Sequence, residues 1–186
     1  MKKIPVYNIV INKGDGISKM SLVDYPAVES DFLKFEKDEK KMLFSMDEEQ
    51  HIVFGCALRA DYPIYRNNRG FEYFVVFTPD VIKELYENFM IDGLQNDVNL
   101  QHSEDTDGVF LIQSMIKDTK KGICPTGFED VADGSWFVAY KINNEEVWEG
   151  IKRGEFNGFS VEAYLNLEER TDEDELNDLM KKILGD

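Results

Sequence analysis

Apolar and polar residues alternate in short runs along most of this chain, and only a few stretches carry the wider spacing of a helix. Residues 4–12 alternate loosely and predict a strand, closed by a turn at Gly14-Asp15-Gly16. Residues 21–27 read as a short extended piece, because Pro26 disfavours helix at Tyr25. Residues 32–36 form another apolar piece and 36–41 a charged, solvated loop or hairpin tip. Strands are predicted at 41–46 and 51–58, and at 71–77, where Phe71, Tyr73, Phe74, Val75, Val76 and Phe77 are strong β-formers. Between them Asn67-Asn68-Arg69-Gly70 reads as a turn.

The helical signals are fewer and sharper. Thr78 can cap a helix, Pro79 suits its first position, Asp80 favours its positive end, and Val81, Ile82, Leu85, Tyr86, Phe89 and Met90 form its apolar stripe up to a stop at Gly93. A short helix is predicted at 145–153, with Val147, Trp148 and Ile151 on one face and Gly154 as its stop, and an amphipathic helix at 171–184. Further strands are predicted at 98–102, 109–116, 136–142 and 159–167, with an acidic turn at 103–108 and a loop at 118–127. The sum predicts a strand-rich α+β domain, a small barrel or sandwich flanked by helices. The organisation expected is one domain over residues 1–170 followed by a C-terminal amphipathic helix over 171–186.

Composition narrows the partners. With 186 residues, 42% of them hydrophobic, the chain can bury a core of one domain. Lys and Arg number 21 against 37 Asp and Glu, a formal net charge of −16. That balance argues against a nucleic acid and against an anionic membrane as partner, since both are bound through clustered cations. No apolar run reaches the roughly 20 residues that span a bilayer, and the N-terminus does not read as a secretory leader. Two cysteines, Cys56 and Cys124, read as free thiols of a reducing compartment. No nucleotide or metal motif is present, so neither a cofactor nor a metal is expected.

Two histidines, His51 and His102, limit the search for a proton shuttle. His102 ends a strand and enters a polar turn, where a base can face a cleft, whereas His51 follows Glu48-Glu49-Gln50 and reads as a surface residue. Ser160 stands in Gly158-Phe159-Ser160-Val161-Glu162, where strand alternation puts Ser160, Glu162 and Tyr164 on one face. The segment is not the GxSxG elbow of α/β-hydrolases, because Glu162 replaces the second glycine. A Cys124–His102 pair is a weaker alternative. Glu104, Asp105 and Asp107 read as a solvated turn rather than a cation loop, and Trp148 and Phe89 as core.

Several segments together resemble the XkdF-type phage serine proteases, relatives of the prohead proteases of tailed phages. Residues 20–28, MSLVDYPAV, resemble that family's SLVDxPA stretch, with an aromatic piece, Phe32 to Phe35, after it. Asn99-Leu100-Gln101-His102 resembles its N-x-x-H, and Gly134-Ser135-Trp136 its G-[ST]-W. Residues 147–162, VWEGIKRGEFNGFSVE, resemble its long motif ending in GFS-[IV]-E. The resemblance implies a herpesvirus-assemblin-like fold, a small β-barrel flanked by helices. It also implies a serine endopeptidase that cleaves scaffold and capsid-protein segments inside the procapsid, in the host cytoplasm. His102 would be general base for the nucleophile Ser160, and backbone amides would form an oxyanion hole. The herpesvirus enzymes use a second histidine as third member and none follows Ser160 here, so an acidic residue would orient His102: Glu162, on the Ser160 face, with Asp172, Asp174 and Asp178 as alternatives. The implied partners are the phage scaffold and major capsid proteins, with a homodimer through residues 171–184. Gln113-Ser114-Met115 departs from the family's Glu-Ser-Trp, which keeps open a non-catalytic head-assembly or capsid-associated protein that retains the protease fold.

Overall fold

The computed structural model describes residues 4–24 and 44–170. Among them are twelve strands and two helices, arranged as three four-stranded sheets. The apolar piece at 32–36, the charged loop at 36–41 and the helix at 171–184 lie outside the described residues, as do Asp172, Asp174 and Asp178.

The first sheet has the order β12-β1-β6-β5. Here β1 is Val6–Val10, β5 Ile64–Asn68, β6 Phe71–Val76 and β12 Asn166–Glu169. β5 and β6 form a hairpin closed by two residues, Arg69 and Gly70, both with positive φ (51° and 89°). Such a turn matches the natural twist of the strands it joins. The second sheet runs β3-β4-β10-β9, with β3 Phe44–Asp47, β4 Ile52–Leu58, β9 Val109–Ile116 and β10 Trp136–Ile142. The third runs β11-β2-β7-β8, with β2 Gly16–Val23, β7 Val98–Leu100, β8 Glu104–Thr106 and β11 Gly158–Tyr164. In it β2 is central, antiparallel to β11 and parallel to β7.

The expected closed barrel is not what forms. The sheets are open, and β5, β12, β3, β9, β8 and β11 each stand at an edge. Inward–outward alternation is common to barrels and packed sheets. Closure depends on which distant strands pair, which alternation does not encode. Two local expectations change for the same reason. The predicted turn at 103–108 contains β8, whose three residues pair with β7. The predicted strand at 159–167 is broken at Leu165, so that β11 belongs to the third sheet and β12 to the first.

Helix α1, Pro79–Ile91, starts as its sequence predicts. Thr78 is extended and its Oγ1 accepts from Val81 N at 3.4 Å, and Ile82, Leu85 and Phe89 are buried. Gly93, left-handed at φ 76°, lies just past the last turn. Helix α2, Glu145–Lys152, is capped by Asn144, whose Oδ1 accepts from Glu146 N and Val147 N, and buries Val147, Trp148 and Ile151. One contiguous apolar cluster takes Ile9 from the first sheet, Val53 and Trp136 from the second, and Met20 and Phe159 from the third. Leu85 of α1 and Trp148 of α2 join the same cluster.

Several residues of the family-like segments are explained by packing. A Cβ on Gly134 would lie 2.5 Å from Cβ of Pro79, and Gly134 has φ +85°. Ser135 is buried, and its Oγ accepts from Ala60 N at 2.9 Å. Trp136 is buried, its Nε1 donating to Ser114 Oγ at 2.8 Å. Lys117, though charged, is also buried, its Nζ donating to the carbonyls of Phe128, Glu129 and Val131. Three acceptors meet the three protons of an ammonium and fix the loop before β10.

Candidate active site

The third sheet gathers polar side chains on one face. Ser160 is the direct ladder partner of Ser21, and Ser21 of Asn99. Residues opposite one another on neighbouring strands project to the same side. Ser160, Ser21 and Asn99 therefore form a row across β11, β2 and β7. Glu162 projects to the same face two residues along β11, opposite Lys19. The other face is apolar: Met20, Leu22, Val98 and Phe159 are all in the core.

His102 reaches this row from the loop between β7 and β8. Leu100 pairs with Glu104, so the loop is only Gln101, His102 and Ser103, closed by Ser103 N donating to Leu100 O at 3.0 Å. Gln101 and His102 both have positive φ, 53° and 56°. Left-handed backbone at a residue with a Cβ costs about 1–3 kcal/mol. The surroundings hold the loop in place. Gln101 N donates to Leu22 O at 2.9 Å, and its Oε1 accepts from Asp24 N at 3.1 Å. Its Nε2 donates to Glu155 O at 3.3 Å. Asp24 is in turn held by Asn157, whose Nδ2 donates to its carboxylate at 3.0 Å.

The contacts among these side chains determine which nitrogen of His102 holds a proton. Ser21 Oγ lies 2.6 Å from Asn99 Oδ1, and the amide Nδ2 of Asn99 donates to Glu162 Oε1 at 2.7 Å. An amide oxygen has no proton to give, so the single hydroxyl proton of Ser21 goes to Asn99. Ser21 Oγ is then an acceptor toward His102 Nδ1, 2.9 Å away, and Glu162 Oε1 is a second acceptor at 3.3 Å. Both neighbours accept, so Nδ1 carries a proton, and in the neutral imidazole the lone pair is on Nε2. Ser21 and Asn99 are 0% and 3% exposed, and the His102 side chain is 40% exposed. One side of the imidazole is thus anchored in the protein and the other faces solvent. Beyond Glu162, Lys19 forms an ion pair with Asp105. The hydrogen bond to Asp105, with the nearby Glu162 charge, raises the pKa of Lys19 above the ordinary lysine value.

Of the residues singled out in the sequence, His102 and Glu162 are in contact. Ser160, 8% exposed, faces the same side from the adjacent strand and makes no hydrogen bond to His102. Ser21 and Asn99 carry no role in the sequence reading. The signal was present: both lie inside the family-like segments as polar residues between apolar neighbours, Ser21 between Met20 and Leu22 and Asn99 between Val98 and Leu100. His51 is not a plain surface residue; its ring stacks on Trp148 at 4.5 Å. Cys124 is exposed, and Cys56 is buried in the second sheet, where desolvation pushes its thiol up to about 12. Gln113, the departure from the family pattern, is exposed on edge strand β9 and belongs to a different sheet from Ser160. Among the described residues no three His, Cys, Asp or Glu side chains converge to hold a metal ion, and no helix is long and apolar enough to cross a membrane.

Comparison with known proteins adds an independent line. The sequence profile of the family described as "Putative phage serine protease XkdF" matches residues 39–169. The phage-like element PBSX protein XkdF of Bacillus subtilis (strain 168) is 24% identical over 180 residues, which cover 91% of this chain and 61% of that protein. The chain therefore spans about three-fifths of the length of that curated relative. No solved structure matches it.

Proposed function

This chain belongs to the XkdF family of phage proteins, and from that membership we propose that it is a serine endopeptidase of phage head maturation, with Ser160 as nucleophile and His102 as its general base. The observation that carries the reading is the commitment of His102 Nδ1 to Ser21 and Glu162, which leaves Nε2 as the basic nitrogen. A serine hydroxyl is a weak nucleophile at neutral pH until a base takes its proton.

Ser160 Oγ attacks the scissile carbonyl while Nε2 accepts the hydroxyl proton. Positive charge then develops on the imidazole, and the Glu162 carboxylate stabilises it through Nδ1–H, as the acidic member of a triad does. The imidazolium gives the proton from Nε2 to the departing amine. Water, deprotonated by the same nitrogen, hydrolyses the acyl-enzyme and restores Ser160. Asn99 and Ser21 hold the tautomer and the ring plane. His102 and Ser160 need not be hydrogen-bonded in the free enzyme, since such contacts tighten when substrate arrives.

Among the described residues Ser21 is the serine hydrogen-bonded to the imidazole, but it is a poor nucleophile. It is fully buried, and its proton is given to Asn99. Ser160, 8% exposed against 0% for Ser21, is the more accessible of the two. The substrates proposed are segments of phage scaffold and major capsid proteins within the procapsid. A kinship with assemblin-type enzymes, with which the His-then-Ser order agrees, and pairing of two copies through residues 171–184 are part of the same proposal.

The test is co-expression with the scaffold and capsid proteins of the parent phage. Wild type shortens one of them, and Ser160→Ala and His102→Ala leave them intact. Equal cleavage by both variants ends the proposal. Absence of cleavage by wild type favours a head-assembly role for the same fold, for which the missing His102–Ser160 hydrogen bond is the supporting observation.

A further inference from the structure

A cavity of about 210 Å³ opens where the three sheets meet, with Ala57 and Leu58 of β4 in its wall, and Ser160 is one of the residues that line it. Its deep end is formed by Ile64 and Val75, ladder partners that are 1% and 4% exposed, together with Phe77. Two residues further along the same hairpin the lining pair is Arg66 and Tyr73, exposed and half-buried. The cavity thus deepens toward aliphatic side chains and opens beside an arginine. Val161 and Ala163, on the apolar face of edge strand β11, and Leu165 just beyond it complete the wall, so that Ser160, which faces the other way, stands at the border of the cavity.

An engineered apolar cavity of about 150 Å³ admits a benzene ring, so this one has room for a single large side chain. Apolar walls favour an apolar occupant, at about 25 cal/mol per Å² removed from water. Arg66 adds a charge requirement. In a chain of net charge −16, its guanidinium has no carboxylate partner among the described residues and donates only to Tyr65 O, at 3.1 Å. An arginine placed so, on the rim of a pocket beside a candidate nucleophile, is complementary to an acidic group supplied by a ligand.

We propose that this cavity is the specificity pocket of the peptidase, receiving a large apolar side chain (Leu, Met or Phe) from the residue whose carbonyl Ser160 attacks, while Arg66 binds an acidic side chain next to it in the substrate. The inference rests on the peptidase reading above and goes beyond it by naming the substrate class. Ala163 and Arg66 become specificity-determining residues. Leucine at 163 fills the pocket, and glutamate at 66 repels the acid.

The experiment has two arms. In the first, wild-type protein is treated with a small fluorophosphonate, which phosphonylates an activated serine with loss of fluoride, and the adduct is mapped by mass spectrometry. In the second, wild type, Ala163→Leu and Arg66→Glu digest a mixture of synthetic peptides, and the residues flanking each cleaved bond are read. Thermal unfolding confirms that each variant is folded. Arg66 is exposed, so its variant remains readable if Ala163→Leu does not fold. Wild type is expected to prefer Leu, Met or Phe over Ala about tenfold or more before the cleaved bond. Ala163→Leu shifts this toward small residues, and Arg66→Glu abolishes the preference for a neighbouring acid. A labelled Ser160 with no apolar preference, or with preferences that neither variant alters, overturns the pocket assignment and leaves the peptidase. An unlabelled Ser160 overturns the peptidase and the pocket with it.

Discussion

Ser21 and Ser160 face each other across β2 and β11, yet only Ser21 is hydrogen-bonded to the imidazole of His102. The two serines therefore divide the work. The buried one is fixed in a chain of hydrogen bonds, Asn99 on one side and His102 on the other, and sets the tautomer. The other, 8% exposed, makes no side-chain hydrogen bond among the described residues and lines a cavity. Exchanging their roles would require a substrate to enter the sheet.

Under the proposed peptidase mechanism, Ser21→Ala is expected to impair cleavage without abolishing it. Removing Ser21 Oγ leaves Glu162 as the acceptor for Nδ1 and frees Asn99 Oδ1. A loosened ring costs about 10- to 100-fold in kcat, with KM little changed. Steady-state kinetics on a cleaved peptide checks this. Loss as complete as that of Ser160→Ala would make Ser21 the nucleophile.

Glu162→Gln tests the charge rather than the geometry. The amide can donate to Nδ1 as well as accept, and it removes the negative charge that balances the imidazolium. A triad with its acid neutralised loses about 10⁴-fold when the acid is the main partner. Here Ser21 also holds Nδ1, so the expected loss is smaller, roughly 10²- to 10³-fold in kcat. The folded state should be nearly unaffected by thermal unfolding, since Glu162 is partly exposed.

Gly134→Ala should be among the more destabilising substitutions in the chain. The added methyl meets Pro79 at 2.5 Å at the start of α1, at a φ of +85°. Gly127 has the same φ with nothing within 4 Å. Urea unfolding should give a cost near 1 kcal/mol for Gly127→Ala, from backbone strain alone, and about 2–4 kcal/mol for Gly134→Ala, strain plus overlap. Equal costs would mean that the Pro79 contact relaxes freely.

Alkaline pH should weaken the fold through Cys56. Burial raises its pKa from 9.0 to about 12, so between those values the unfolded thiol has ionised while the folded one has not. The unfolded state then binds fewer protons. Stability that is fully present below pH 9 falls by about 1.4 kcal/mol per unit as pH rises toward 12. The Tyr140 hydroxyl, also raised by burial, adds in the same direction at higher pH. Urea midpoints at pH 8 and pH 10.5 should converge in Cys56→Ala relative to wild type. An unchanged pH slope would place the thiol in contact with solvent.

Much of the local structure was legible because it depends on neighbours in sequence. Thr78-Pro79-Asp80 announces a helix start, and the alternation in residues 109–116 and 136–142 gives β9 and β10 with their observed ends. What depends on distant pairing was not legible. Nothing local to 159–167 says that Leu165 separates two sheets, or that Glu104–Thr106 pairs with β7 to make the hairpin that carries His102. Within the site, alternation put Ser160 and Glu162 on one face. The joining of His102 to Ser21 and Asn99 needs the β2–β7 and β2–β11 registers, which only the folded sheet supplies.

The central claim, a hydroxyl at 160 activated by His102, is tested most directly by fluorophosphonate labelling followed by intact-mass and peptide mass spectrometry on wild type, Ser160→Ala, Ser21→Ala and His102→Ala. The account predicts a single adduct on Ser160 in wild type, a slower adduct at the same residue in Ser21→Ala, and none in Ser160→Ala or His102→Ala. An adduct on Ser21, or labelling of Ser160 that persists undiminished without His102, would contradict it.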